Sequence, residues 1–402
     1  MQPNSFVPRA HFPAYLGRNQ GTEFFFTQPY VDLTQTSIPK TISLNRPLQE
    51  VLLNWRGRVV IAGANYTTVA AEAPQTIIDR IILRGTWKGT ALTLRDISGA
   101  TAFAWGRIFG PRGSTVIINN TRQADLSIPN QTLGASFGNT GTYDLDIWYH
   151  LWMPPMVVPA TRSFNWLPFC LQPRDWNDTL QLQLNMGQGA TTAAGVGGTS
   201  FGVPAGGTTS TLTAFGLGTG APQVDIYTIY NLAGPLRDKF QSAVVVHNEQ
   251  RITQGVAAVA SNVRLSVLAK QKTTGVVVKS GIIQASAAGV EVFATLNDTV
   301  LNRTQITVDN RPIRPSIDNR TEKEFAGSMS GTVVPGGYFL FSFIDSQTPR
   351  TSYRADLENV VAPGSQYELT SDIVTANAGN RLTVVQEMIF ADKVDPAWKG
   401  TR

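Results

Sequence analysis

At 402 residues and 43.6 kDa the chain exceeds one ordinary domain and is long enough to bury two cores. Only 15% of it is charged, and its 33 Lys+Arg against 28 Asp+Glu leave +5 spread without any run of like charges, which argues against a dedicated phosphate track. Cys170 is the single cysteine, so no intrachain disulfide can staple the fold.

Residues 1–40 read as an N-terminal arm. Prolines at 3, 8, 13 and 29 forbid a regular helix, and Phe6, Phe12, Tyr15, Phe24, Phe25, Phe26 and Tyr30 make the segment too apolar to float in water. Such a segment docks in extended form, either on a neighbouring subunit or inner surface or along its own domain. No basic n-region precedes an apolar run within residues 1–30, and no stretch of 18 apolar residues occurs, so neither a standard secretory signal nor a membrane span is expected.

From residue 41 onward the hydrophobic pattern has period two, and few segments suit an amphipathic helix of three turns. Strands are predicted at residues 51–62, 77–83, 91–97, 114–118, 143–153, 180–186 and 224–232. Leu180-Gln-Leu-Gln-Leu184 alternates strictly, which buries one face and leaves the other wet. Between Asp178 and Asp225 no Asp, Glu, Lys or Arg occurs. The Gly/Thr/Ala-rich stretch at 187–222 is predicted to be a long loop inside the first unit, projecting as a tower or packing on a neighbouring copy. Gly234-Pro235 cannot continue a central strand. Beyond it, strands are predicted at 242–247, 263–268, 276–283, 290–296, 305–308, 338–344 and 382–390. The chain is therefore expected to be all-β, with the arm at 1–40, a first sandwich at 41–234 and a second at 235–402.

The chemistry-bearing residues point to no catalytic, cofactor or metal site. His11, His150 and His247 lie far apart without metal-ligand spacing, and His150, inside Ile147-Trp-Tyr-His-Leu-Trp152, is expected to be half-buried and hydrogen-bonded. Cys170 follows Pro168-Phe169 and is expected to be a buried thiol. Neither a G-x-S-x-G elbow nor a phosphate-loop fingerprint is present. Asp144 and Asp146 share a strand face, where pairing with Arg or Lys across strands is favoured over a glycosidase role. Arg303, Arg311, Arg314 and Arg320 are interleaved with Asp309 and Asp318, which suits loop ion pairs, and a Ca²⁺ site at those two carboxylates has no further support.

Five segments in order carry a resemblance. They are Tyr143-Asp-Leu-Asp-Ile-Trp-Tyr-His-Leu-Trp-Met-Pro154, Thr179-Leu-Gln-Leu-Gln-Leu184 with the glycine-rich excursion after it, Val224-Asp-Ile-Tyr-Thr-Ile-Tyr230, Gly336-Gly-Tyr-Phe-Leu-Phe-Ser-Phe343 and Arg381-Leu-Thr-Val-Val-Gln-Glu-Met-Ile-Phe390. This layout, over roughly residues 45 to 392, resembles the double jelly-roll major capsid proteins of tailless, internal-membrane icosahedral bacteriophages, the tectivirus-like lineage that includes adenovirus hexons.

The resemblance implies two tandem eight-stranded jelly rolls and a non-enzymatic coat protein of the virion, synthesised in the host cytoplasm. It implies homotrimeric, pseudo-hexagonal capsomers that contact neighbouring capsomers and penton or minor capsid proteins, with no sequence-specific nucleic acid. It also places the arm against an internal membrane, with Arg9 and Arg18 facing lipid phosphates, although relatives commonly begin with a helix and this arm is rich in Pro and Phe. Two other classes stay open: a virion spike or carbohydrate-binding sandwich using Trp87, Trp105 and Trp176, and a β-sandwich glycoside hydrolase using Asp144 or Asp146.

Overall fold

The structure, a computed structural model, describes residues 20–29, 37–109, 114–119, 121–122, 138–154, 169–187, 201–216, 222–231, 243–252, 260–268, 272–285, 291–296, 300–308, 311–330, 336–342, 366–373 and 379–391, together with 298, 334 and 377. The first half contributes β1 (Gln20–Pro29), β2 (Ser37–Ser43), β3 (Leu48–Ala62), β4 (Tyr66–Val69), β5 (Ile78–Trp87), β6 (Thr90–Ile97), α1 (Gly99–Phe109), β7 (Thr115–Ile118) and β8 (Thr121–Arg122). It continues with β9 (Gly141–Trp152), β10 (Trp176–Met186), β11 (Gly202–Pro204), β12 (Thr209–Thr213) and β13 (Gln223–Asn231). The second half holds β14 (Ala243–Ile252), β15 (Ala260–Leu268), β16 (Lys272–Ala285), β17 (Glu291–Leu296), β18 (Leu301–Val308), β19 (Arg311–Asp318), α2 (Asn319–Ser330), β20 (Tyr338–Ser342), β21 (Gln366–Ile373) and β22 (Asn380–Ala391).

The expected all-β architecture of two sandwiches is what these strands build. One layer of the first sandwich runs β1-β13-β3-β9-β7-β8, with β12 also on β3, and the other runs β6-β5-β10-β2. Eight strands (β2, β3, β5, β6, β7, β9, β10 and β13) make this sandwich, and β1, β8 and β12 extend it. In the second half β14, β22, β16, β17 and β20 form one layer and β15-β21-β18-β19 another, again eight strands with β19 added at an edge.

Alternation explains the packing. Leu53, Trp55, Val59 and Ile61 of β3 and Leu145, Ile147 and Tyr149 of β9 are buried on one side, against Ile81, Leu83, Leu180, Leu182 and Leu184 of the opposite layer. In β10 the intervening Gln181 is exposed and accepts a hydrogen bond from Arg84 Nε at 3.1 Å, so the predicted wet face is present.

Among the described residues two α-helices depart from the strand-only expectation. Both begin on a side-chain cap: Ser98 Oγ accepts from Thr101 N at 3.2 Å before α1, and Asp318 Oδ1 accepts from Thr321 N at 3.0 Å before α2. Helix α1 lies on β9 at Gly106, where a Cβ would stand 2.5 Å from Ser114 Oγ and 2.9 Å from the His150 carbonyl. Gly106→Val is expected to lower stability by about 1–3 kcal/mol through overpacking, read from the midpoint of a urea melt.

The described part of the arm follows one of its two expected courses, and the described part of the loop differs from its expectation. Gln20–Pro29 pairs antiparallel with β13, so this part of the extended arm covers an edge of its own first sandwich. Within 187–222, Gly202–Pro204 pairs with β4 and Thr209–Thr213 with β3, while Phe201 and Leu212 are buried. This portion packs on its own sandwich because Phe201 and Leu212 supply apolar contacts and Thr209–Thr213 alternates at strand period. Residues 188–200 and 217–221 of the loop, and 1–19 of the arm, lie outside the described residues.

Strands of the two halves pair with one another at one place among the described residues. β14 runs parallel to β6 through His247↔Arg95 and Asn248↔Asp96, which merges the layers into a nine-stranded sheet. The apolar cluster that fills the first sandwich also continues across this joint to Val277, Leu340, Val385 and Met388.

Candidate functional site

Two concentrations of polar side chains stand out, one on a sheet face of the first half and one in the joint between halves. On the face turned away from the first core, β3, β9 and β13 place Arg58 opposite Asp144, Arg56 opposite Asp146 and Asn54 opposite Asp225. Arg58 donates Nε and a second guanidinium N–H to the two oxygens of Asp144 at 2.8 and 2.9 Å, a bidentate pair. That contact holds the Asp144 carboxyl below its usual range, helped by the Gly216 N–H.

Asn54 donates to Asp146, and Arg56 pairs with the buried Asp225. Burial raises the Asp146 carboxyl, and the Asn54 amide works against that rise. Trp148 stacks on Tyr227 at 5.7 Å between ring centroids, beside the same ladder. The expected cross-strand pairing is thus present at Asp144, whose two oxygens are both held by the Arg58 guanidinium. Asp146 is held by an amide, with Arg56 acting on it through space. On this surface Asp144 and Asp225 are each paired with a guanidinium across strands.

The joint is more deeply buried. The register puts Val277 and Lys279 of β16, Tyr338 and Leu340 of β20, Val385 and Glu387 of β22, and His247 and Glu249 of β14 on one face. That face meets the first half. Lys279 Nζ donates to both oxygens of Glu72 at 3.0 and 3.1 Å, and Tyr338 Oη donates to Glu72 Oε1 at 2.7 Å. The Ser98 N–H donates to Glu249 Oε2 at 2.6 Å. Arg95, 1% exposed, donates to the carbonyls of Leu94, Val245 and Trp152 at 2.8, 2.6 and 2.7 Å. His247 Nε2 lies 2.9 Å from Glu387 Oε2, and the Trp105 ring lies 4.7 Å from the imidazole.

Burial dominates the electrostatics here. It brings Arg95 down to about 10 against the pull of Glu387, and it brings His247 down to about 4, with the Arg95 charge adding to the effect. Burial also lifts the Tyr338 phenol, and Glu72 beside it lifts it further. Burial pushes Glu249 up, but Lys279, the Ser98 N–H and Arg80 together outweigh it and leave the carboxyl below its usual range.

The remaining predicted residues are dispersed. His150 is buried against Glu50, Nδ1 to Oε1 at 2.6 Å, rather than half-exposed, because β9 is covered by α1 there. Cys170 is buried and its thiol is pushed up to about 12 by desolvation, which removes it from nucleophilic chemistry. Trp87, Trp105 and Trp176 are 8, 3 and 4% exposed and fill space between elements, so they offer no platform to a sugar ring. Asp318 is spent on the α2 cap, while His11, Arg9, Arg18 and Asp309 lie outside the described residues. Among the described residues no three His, Cys, Asp or Glu side chains come together as a metal site. The sequence reading missed the joint, although charges at His247, Glu249, Lys279 and Glu387 inside Val-rich strands were a visible signal.

No protein-family model and no curated protein matches the sequence. Solved structures do. The chain is similar to the crystal structure of the MCP of STIV, Sulfolobus turreted icosahedral virus, with a TM-score of 0.53 at 12% identity over 92% of this chain and 96% of that one. It is similar to the PBCV-1 virus capsid, with a TM-score of 0.53 at 11% identity over 93% of this chain and 94% of that one. The fold shared with these proteins is the double jelly roll.

Proposed function

We propose that this chain is the major capsid protein of an icosahedral virion, a structural protein that acts by assembling. The observation that carries the proposal is the pairing of two eight-stranded sandwiches through one continuous sheet. Two such units in one rigid subunit make a three-fold ring of copies nearly six-sided, a shape that tiles a closed shell. Similarity to viral coat proteins over more than nine-tenths of the chain supports it. So does the use of the acidic residues at 144, 146, 225 and 387 in structural contacts.

The finer parts of the proposal are a homotrimeric, pseudo-hexagonal capsomer, a division of the halves at Gly234-Pro235, contacts to neighbouring capsomers and penton or minor proteins, and a membrane beneath the shell faced by the start of the arm. Purified protein is expected to elute at three times the mass of the 43.6 kDa chain and to show hexagonal outlines by negative-stain microscopy. A stable monomer, or elongated isolated spikes, would overturn the proposal. So would turnover of a glycan that Asp146→Asn abolishes.

A further inference from the structure

The joint between the halves has one short strand pairing and a further backbone hydrogen bond from Ala71 N–H to the Phe293 carbonyl at 2.7 Å, and it is dense in buried charge. β6 and β14 share the two register pairs His247↔Arg95 and Asn248↔Asp96. Around them the first half presents Glu72, Arg80, Arg95 and Asp96, and the second presents His247, Glu249, Lys279, Tyr338 and Glu387. Glu72, Lys279, Arg95, His247, Glu249 and Glu387 are each less than a tenth exposed.

The groups divide into two sets. Lys279 sits between Glu72 and Glu249, with Tyr338 donating to Glu72 and Arg80 reaching Asp96 and the Glu249 carbonyl at 2.6 and 3.4 Å. In the second set Arg95 is balanced by Glu387, and His247 stands between them in its neutral form. A proton on His247 adds a second cation directly across the register from Arg95. The imidazole is 2% exposed, so water cannot solvate that charge, and Trp105 closes another side. Among the described residues Glu387 is the carboxylate within hydrogen-bond reach of the ring, and it already answers Arg95.

We propose that this joint is an acid-sensitive latch, in which protonation of His247 parts β14 from β6 and loosens the two sandwiches from each other while each keeps its own sheets. The latch belongs to the isolated chain and does not rest on the capsid proposal. Its mechanical consequence follows from where the cation appears. Arg95 donates to the Val245 carbonyl across the joint and to the Trp152 carbonyl of its own half, so expelling the guanidinium breaks a contact that spans the joint.

The test is hydrogen exchange by mass spectrometry on the full chain, corrected for intrinsic rates, from about pH 7 down to about pH 4. Peptides over β6 and β14 are expected to lose protection by roughly tenfold more than peptides over β3 and β9 as the pH falls. His247→Gln, which keeps an N–H for Glu387 and cannot be charged, is expected to retain joint protection at the lowest pH. That arm separates His247 from acid protonation of Glu72, Glu249, Asp96 or Glu387. Equal loss of protection in all peptides of the unmodified chain overturns the latch, and so does joint opening in His247→Gln at the same pH. If His247→Gln does not fold, His247→Asn, which is equally unable to take a charge, replaces it in the same comparison.

Discussion

Lys279→Met is expected to lower the free energy of unfolding by about 3–5 kcal/mol, read from chemical denaturation at neutral pH. The reason lies in what remains rather than in the contact removed. Glu72 is 6% exposed and would keep only the Tyr338 hydroxyl of the partners that now meet its two oxygens. An uncompensated carboxylate in that setting costs several kcal/mol, whereas an apolar filling of the same volume costs little. Adding Glu72→Leu to Lys279→Met should therefore restore part of the loss, and adding Tyr338→Phe should restore more by removing the stranded hydroxyl. A loss below about 1 kcal/mol for the single variant would mean that water reaches Glu72 and that the joint is not sealed.

The part of the fold that could be read in advance is the part governed by local alternation. Leu180-Gln-Leu-Gln-Leu184 and Tyr143-Asp-Leu-Asp-Ile147 declare a buried face within five residues, and β10 and β9 follow them. β19 was hidden because Pro312 and Pro315 demote it, and its position at the edge of its sheet explains how two prolines fit. Helix α1 was hidden because Gly99-Ala-Thr-Ala-Phe-Ala-Trp105 holds no charged residue to reveal a solvent face, and both sides of it are covered by protein.

The joint could not be assembled from sequence at all. Glu72 and Lys279 are 207 positions apart and His247 and Glu387 are 140 apart, and no local pattern links them. A charge in phase with buried valines says that a partner exists, but only the tertiary fold says which one. The same holds for Asp144 and Asp146. Their shared face was legible, but the guanidinium opposite Asp144 and the amide beside Asp146 depend on the register of β3 against β9.

Arg95→Met should be as damaging as Lys279→Met, about 3–5 kcal/mol, and it carries a pH signature that a simple packing defect lacks. The guanidinium serves three carbonyls within 2.8 Å, two of them in elements other than its own, and balances Glu387. Arg95→Lys should recover less than half of the loss, because one ammonium cannot reproduce a planar fork aimed at carbonyls on opposite sides.

The signature comes from His247, whose usual value of 6.5 is brought to about 4 by burial and by Arg95. A histidine depressed in the folded state binds its proton more tightly once unfolded. Stability is then full above about pH 6.5, declines as the pH falls toward about 4, and levels off below that, by roughly 3 kcal/mol in all. With Arg95 gone, its repulsion is lost and Glu387 is freed to stabilise the imidazolium, so the folded-state value rises toward the unfolded one. Arg95→Met should therefore be less stable at neutral pH yet lose less on acidification, and the two stability curves should converge as the pH drops. Parallel curves from pH 7 to about pH 4 would show that Arg95 and His247 do not feel each other across the joint.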